Sequence, residues 1–202
     1  MTSSESEQYQ RILDAAFDEF AHKGYRGATI KSIGQAAGLK SPSLIYWYFP
    51  TKEDLFQKTV RDRQPLVKAV IDADSLLDRP PTEVLPFLAQ TYLKSIEEPE
   101  MQQMFRLFLA EMGKRPGLAD LVSETVVEPV LAFLQSYLAR QVKLRRMRPH
   151  DERAGARAFI GMLLPQMISM VLFPALYADG PTNEEHLETA IDIYLRGVLI
   201  DP

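Results

Sequence analysis

An all-α fold is what this sequence predicts, on three observations. Apolar residues recur at steps of three and four in segment after segment, the helical period. The breaks between those segments fall at Gly or Pro, placed where helices stop or start. No Gly-rich turn joins two alternating runs, and neither an internal repeat nor a low-complexity tract is present. With 202 residues, 46% of them hydrophobic, the chain can form one domain or a small domain joined to a larger one. Its formal net charge is −4, so affinity for a polyanion has to come from locally placed groups and not from bulk charge. The absence of cysteine excludes disulfides and thiolate chemistry. The start, MTSSESEQYQ, is polar and acidic without the apolar run of a signal peptide, and a cytoplasmic protein is expected.

Residues 1–8 are expected to fray, with Ser4 and Glu7 at capping-box spacing for a first helix. That helix carries Ile12, Leu13, Ala16, Phe17 and Phe20 as an apolar stripe and ends at Lys23-Gly24, with Tyr25 to Ala28 as a link. Thr29 then caps a helix that buries Ile30, Ile33, Ala36 and Ala37. Gly38 stands where a helix ends in a left-handed residue. Ser41 is a good N-cap and Pro42 fits the first helical position of a second short helix, Pro42 to Tyr48, which must stop before Pro50. Thr51 caps the next helix, opening at Lys52. Two short helices around a glycine turn outline a helix-turn-helix.

The second motif helix has two faces. Leu44, Ile45, Tyr48 and Phe49 point to a core, while Ser43, Tyr46 and Trp47 share the opposite side. A surface carrying a hydroxyl, a phenol and an indole suits phosphates and base edges in a major groove. Between Lys23 and Lys52 there are five basic residues (Lys23, Arg26, Lys31, Lys40 and Lys52) and no Asp or Glu. An ordinary helical hairpin with exposed aromatics is the plainer account of the pattern; the acid-free basic window favours DNA.

Three pieces in order, ILDAAFDEFAHKGYRGATI, IGQAAGL and IYWYFPTKEDLF, resemble the DNA-binding domain of the tetracycline-repressor (TetR) family of transcriptional regulators. They lie between Ile12 and Leu55, about a fifth of the chain. The common pattern of that family has one residue fewer between the turn glycine and the lysine that opens the next helix; here Ser41-Pro42-Ser43 occupies that turn. The resemblance implies a three-helix DNA-reading domain, residues 1–55, and a C-terminal helical domain for effector binding and dimerisation, residues 56–202. Carried onto this sequence, it makes Ser43 and Trp47 the candidates for base contacts. Thr29, Tyr46, Tyr48 and Lys52 become candidates for phosphate contacts, with Lys40, Ser41 and Pro42 completing the surface. Tyr48 has a competing place in the core, because it lies on the inner face. The implied partner is double-stranded DNA with a near-palindromic operator.

The helix opening at Lys52 is expected to run through KEDLFQKTVRDRQPLVKAVIDADSLL, kinked or divided at Pro65, until Arg79-Pro80-Pro81 breaks the chain. Thr82 to Glu98 places Val84, Phe87, Leu88, Thr91, Tyr92 and Ser95 near one face. Pro99 to Gly113 carries Met101, Met104, Phe105, Phe108, Leu109 and Met112 at helical spacing. Core packing is the plainer account of that stripe, although Met and Phe also line adaptable apolar pockets. Phe87, Tyr92, Met104, Phe105, Phe108, Met162 and Gln166 are the candidate effector-contacting side chains, and an apolar or amphipathic effector is expected. Leu118 to Arg140 reads as one long helical region bent near Pro129. Lys143, Arg145, Arg146 and Arg148 read as a solvated helix end.

Ala158 to Tyr177 is a run of 20 residues without a charge, long enough to invite a membrane reading. Pro165, Gln166, Ser169 and Pro174 within it argue for a buried helix or an interface, and no membrane partner is expected. In the last helix, Leu187, Ile191, Tyr194 and Val198 have the 4-3-4 spacing of a helix–helix seam. In TetR-like proteins the last two helices pair with their copies, so Ala158–Tyr177 and Thr182–Leu199 together are expected to seal a homodimer, with Leu187, Ile191, Tyr194 and Val198 as its seam.

No catalytic pattern is found. His22, His150 and His186 are scattered, and the HExxH, GxSxG, Walker and GxGxxG patterns are all missing. No enzyme, cofactor or metal is expected. The reading is a DNA-binding regulator, by resemblance a repressor released by a small effector. Its rivals are an architectural DNA-binding dimer without effector, and a helical small-molecule-binding protein or enzyme whose hairpin is structural.

Overall fold

The computed structural model describes residues 3–71 and 73–200, without the side chains of Ser3, Ser4 and Tyr177. The proposed Ser4 cap therefore lies outside the described residues. Twelve α-helices are described: α1 Ser3–Gly27, α2 Ile30–Ala36, α3 Ile45–Tyr48, α4 Lys52–Arg63, α5 Pro65–Ile71, α6 Pro81–Glu97, α7 Pro99–Met112, α8 Pro116–Val122, α9 Glu128–Lys143, α10 Glu152–Leu172, α11 Pro174–Ala178 and α12 Asn183–Val198. Among the described residues there is no strand, only one antiparallel bridge between Met147 and Leu199. The all-α expectation holds.

The chain forms two compact units. The first comprises residues 1–64 and 98–126, the second 65–97 and 127–202. The chain therefore passes between them three times, at Gln64–Pro65, Glu97–Glu98 and Val126–Val127.

In the first unit, α1 supplies Ile12, Leu13, Ala16 and Phe20, all nearly inaccessible. Ile33 of α2, Ile45 and Phe49 around α3, and Leu55, Phe56 and Val60 of α4 close on them. Phe56 is the aromatic hub, edge-on to Phe20 and to Phe108 at 5.3 Å each. Gly24, at φ 70° and ψ 174°, breaks α1, where Lys23-Gly24 was expected to end it. The residues after it make one more helical turn before Ala28. On α2 the pattern needs one correction. Ala36 is exposed, and Gly34 is buried in its place.

The helix opening at Lys52 divides at Gln64, whose ψ of 107° is extended. A residue before proline is pushed out of the helical region, which accounts for the break. Its continuation α5 ends at Ile71, short of the expected Leu77, and a 3-10 turn occupies Asp74–Leu76. Leu118 to Arg140 is helical throughout, as expected, and its irregularity falls just before Pro129 as a π-helical segment, Ser123–Val127, that joins α8 to α9.

The second unit packs α5, α6, α9, α10 and α12 together. Its core takes Val67, Leu85, Leu88, Leu134, Leu138, Phe159, Leu163 and Leu187. Two of its buried polar side chains are satisfied by backbone: the Tyr137 hydroxyl donates to the Arg79 carbonyl at 2.9 Å and the Gln141 amide to the Leu77 carbonyl at 2.7 Å. Arg146 and Arg148, expected as a solvated helix end, donate to the backbone carbonyls of Asp78 and Leu199. They hold neighbouring segments of this unit in place.

Helix α10 has the length and composition to cross a membrane. It nevertheless packs on α9 and α12, with Ala156, Phe159, Leu163, Gln166 and Val171 buried. Asp151 caps it, accepting from the amides of Arg153 at 2.8 Å and Ala154 at 2.9 Å.

Candidate nucleic-acid interface

Thr29 and Ser32 form a reciprocal capping box that starts α2, each side-chain oxygen 3.0 Å from the other residue's amide nitrogen. Gly38 takes φ 68° and ends the helix, a conformation in which a Cβ is strained. The Leu39 amide then donates back to the Gly34 carbonyl at 2.9 Å, turning the chain under α2. Pro42 opens a 3-10 turn, Pro42–Leu44, that runs directly into α3. The extra residue of the Ser41-Pro42-Ser43 turn is thus taken up as a tighter helical turn. Ser41 is extended, as an N-cap should be, but its hydroxyl makes no cap bond. It pairs instead with the Ser43 hydroxyl at 2.7 Å.

The two faces expected of the second motif helix are present. Ile45 and Phe49 are buried, Leu44 and Tyr48 half-buried. Tyr46 is 51% exposed and Trp47 87% exposed, with Ser43 exposed beside them. Tyr48 meets Tyr9 edge-on at 5.9 Å, so its ring belongs in good part to the core.

Lys52 is a correction. Its ammonium lies over the Tyr25 ring, 4.5 Å from the centroid, and donates to the Tyr25 carbonyl. Burial lowers its pKa, with Glu53 and Glu111 opposing that shift. The Tyr25 hydroxyl donates to Glu53 at 2.8 Å, and burial together with that bond raises its own pKa. Lys52 therefore ties α4 to the end of α1, with its side chain half-buried. Lys23 is paired with Glu19 at 2.6 Å. Of the five basic residues in the acid-free window, Lys23, Arg26, Lys31 and Lys40 are exposed, Lys23 within its ion pair, and Lys52 is half-buried. The Thr29 hydroxyl is engaged in its cap. Sequence reasoning passed over Gln35 and gave Lys31 no role of its own, yet both lie on the exposed side of α2. Their spacing of four is the signal that could have marked them.

The candidate effector residues do not form one group. Met104 and Phe108 are core residues of the first unit, with Phe105 half-buried beside them, because α7 packs along α1. The plainer account of the Met–Phe stripe is therefore the right one for those two. Phe87 is 46% exposed, because the buried face of α6 turns towards Leu85 and Ala89, each two residues from Phe87 and so on the opposite side of the helix. Tyr92, Met162 and Gln166 belong to the second unit. Tyr92 is buried, and its hydroxyl has no hydrogen-bond partner. Burial raises its pKa, so it stays a neutral phenol. Gln166 donates to Asn183 at 2.7 Å, Asn183 donates to Glu97 at 2.8 Å, and His186 donates to the Met162 carbonyl at 2.7 Å.

The expected dimer seam is corrected too. Leu187, Ile191 and Tyr194 are buried within their own unit, and Val198 is half-buried. The apolar side chains left exposed by the last helices are Ile168, Leu172, Phe173, Leu176, Ile193 and Ile200. Among the described residues, no group of three or more His, Asp or Glu gathers as a metal site.

Comparison with known proteins bears on both parts of the chain. The model for "Bacterial regulatory proteins, tetR family" matches residues 12–59, and that for "AefR-like transcriptional repressor, C-terminal domain" matches residues 83–197. The chain belongs to the TetR family of transcriptional regulators. The transcriptional regulator RutR of Escherichia coli K12 is 30% identical over 147 residues, 72% of this chain and 67% of RutR. SrpR of Pseudomonas putida is 26% identical over 135 residues, 66% of this chain but only 60% of SrpR. In fold, the chain is similar to FadR of Bacillus subtilis, solved in complex with stearoyl-CoA, at a TM-score of 0.71 and 16% identity over 94% of this chain and 98% of that one. Both RutR and SrpR are HTH-type transcriptional regulators.

Proposed function

We propose that this TetR-family chain is a cytoplasmic, homodimeric repressor that reads a near-palindromic operator and is released by an apolar or amphipathic small molecule. The observation that carries the DNA reading is the exposed Ser43–Tyr46–Trp47 face, in a unit that also exposes the cations Arg26, Lys31 and Lys40. Such a face joins hydrogen-bonding and apolar groups suited to base edges with charges suited to phosphates. Residues 1–55 are the reading part in this proposal, and 56–202 serve effector binding and dimerisation.

Dimerisation is supported by the exposed apolar residues of α10 to α12. Ala158, Gly161, Pro165, Ile168 and Leu172 follow one another at steps of three and four along the exposed side of α10. Small residues between larger apolar ones allow close approach of a copy, and a two-fold interface must be self-complementary. Two readers related by that axis call for half-sites separated by turns of the DNA helix.

Effector binding is supported in the second unit by Tyr92. A buried hydroxyl without a partner is costly, and a ligand atom that bonds to it removes that cost. FadR, a structural neighbour, was solved in complex with stearoyl-CoA, which supports an amphipathic effector. The three chain crossings between the units give an effector mechanical routes to the reader. A coupling of about 1–3 kcal/mol would change operator affinity roughly 5–150-fold. Linkage requires operator DNA to weaken the effector by the same factor.

The experiment selects duplexes from a random pool with the wild-type protein. It then titrates the selected duplex with and without a compound found by thermal-shift screening of apolar and amphipathic molecules. Weaker DNA binding with the compound, and an equal reciprocal loss, is the expected result. Identical compound affinity with and without DNA would refute effector control and favour an architectural dimer. Tyr92→Phe should reduce compound affinity and leave DNA binding by the free protein unchanged.

A further inference from the structure

Gly34, in the middle of α2, stands where any larger residue would strike the reader turn. A Cβ at this position would lie 2.7 Å from the Pro42 Cα and 2.9 Å from its Cβ. Carbon atoms pack at about 3.5–4.0 Å, so a single methyl group would have to move the turn by about 1 Å. The nearer atom is backbone and cannot swing aside as a side chain would. Nor is α2 free to retreat: Ile33 beside Gly34 is fully buried, and the Gly34 carbonyl holds the Leu39 amide. The demand at Gly34 is for space, unlike Gly38, where it is for positive φ.

The turn passes such a displacement on. Leu44 N–H donates to the Ser41 carbonyl at 3.1 Å, and Ile45 N–H donates to the Pro42 carbonyl, so Pro42 is built into the first turn of the reader. Proline adds stiffness by fixing its own φ. Ser43 follows it directly, and Tyr46 and Trp47 lie one turn on.

We infer that Gly34 and Pro42 are a positioning pair whose close contact sets the seat of α3 against α2, and thereby selects which base edges Ser43 and Trp47 reach. The pair matters most in this chain because its turn carries the extra residue of Ser41-Pro42-Ser43. Without that contact the longer turn could settle in more than one way. The inference rests on the reading of this surface as a DNA reader.

The test compares the full-length wild type with Gly34→Ala, Pro42→Gly and the double variant. Each is titrated on the duplex selected from the random pool and on a scrambled duplex of equal length. Gly34→Ala should lower the ratio of selected to scrambled affinity about tenfold or more, with scrambled binding changed less than about threefold, because phosphate contacts tolerate the shift and base contacts do not. The double variant should recover at least about threefold of that ratio, since glycine at 42 removes the ring and frees the backbone to settle. Ala36→Gly, on the exposed side of the same helix, should leave the ratio unchanged and so controls for helix propensity.

An unchanged ratio in Gly34→Ala overturns the inference. Equal losses on both duplexes also overturn it, because Gly34 would then serve only the fold. Should Gly34→Ala fail to fold by circular dichroism, Pro42→Gly decides: a fall in the ratio of about threefold or more supports the inference, and a wild-type ratio overturns it. If the wild type itself prefers no duplex, the DNA-reading proposal fails, an outcome distinct from any of these.

Discussion

Truncating Trp47 isolates base reading from folding better than any other change in this chain. The side chain is 87% exposed, so removing it takes almost nothing from the protein's own packing. The expected change in folding stability is therefore within about 0.5 kcal/mol. Bound, the indole has much to gain. An aromatic side chain can bury about 150–250 Å², and if roughly half of that is covered in a groove, about 100 Å² at about 25 cal/mol per Å² gives about 2.5 kcal/mol. That agrees with the range of about 1–3 kcal/mol for a good base contact. Trp47→Ala should thus weaken the selected duplex by about 5–150-fold at 25 °C. Its effect on scrambled DNA should be small, because a contact that carries sequence information is already lost there. Fluorescence anisotropy on both duplexes, with a thermal melt of each protein, measures all three quantities. An equal loss on both duplexes would remove Trp47 from base reading. A large drop in melting temperature would refute the premise that the side chain does nothing for the fold.

Two further outcomes follow from the corrected sites. Lys52→Ala should lower thermal stability and leave the salt dependence of DNA binding unchanged, because its ammonium is held by the Tyr25 ring and carbonyl; a fall of roughly one unit in the salt slope would return Lys52 to the phosphate-contacting set. Leu172→Glu, at a residue 47% exposed, should split the dimer in sedimentation at micromolar concentration with an unchanged melt of the monomer, whereas Ile191→Glu should lower the melting temperature of the second unit by burying a carboxylate; the reverse pattern would restore the Leu187–Ile191–Tyr194 seam as the subunit interface.

What the sequence made legible, and what it hid, follows from the range of the forces involved. Capping, glycine stops and proline starts are local chemistry. Thr29, Gly38, Pro42 and Thr51 accordingly stand where their types require, and the two faces of the reader could be told apart by spacing alone. The identity of a helix's neighbour is not local. The stripe through Met104 and Phe108 reads the same whether it lines a ligand or packs on Phe56, and only the fold shows α7 lying along α1. The same holds for Leu187, Ile191 and Tyr194: a seam spacing states that a helix partner exists, not whether it belongs to the same chain or to a copy. Lys52 shows the third kind of gap. A lysine at a helix start beside a basic window suggests phosphate, but its flexible stem let the charge turn back to an aromatic ring one helix away. Charge counted along a sequence therefore overstates charge presented to DNA. Of the five basic residues in the window, one is spent on Glu19 and one on Tyr25. Two of the five charges are thus partly answered within the chain, so base contacts have to supply more of the affinity. In a chain with a net charge of −4, that makes selectivity, rather than general attraction to DNA, the property most exposed to small shifts of the reader turn.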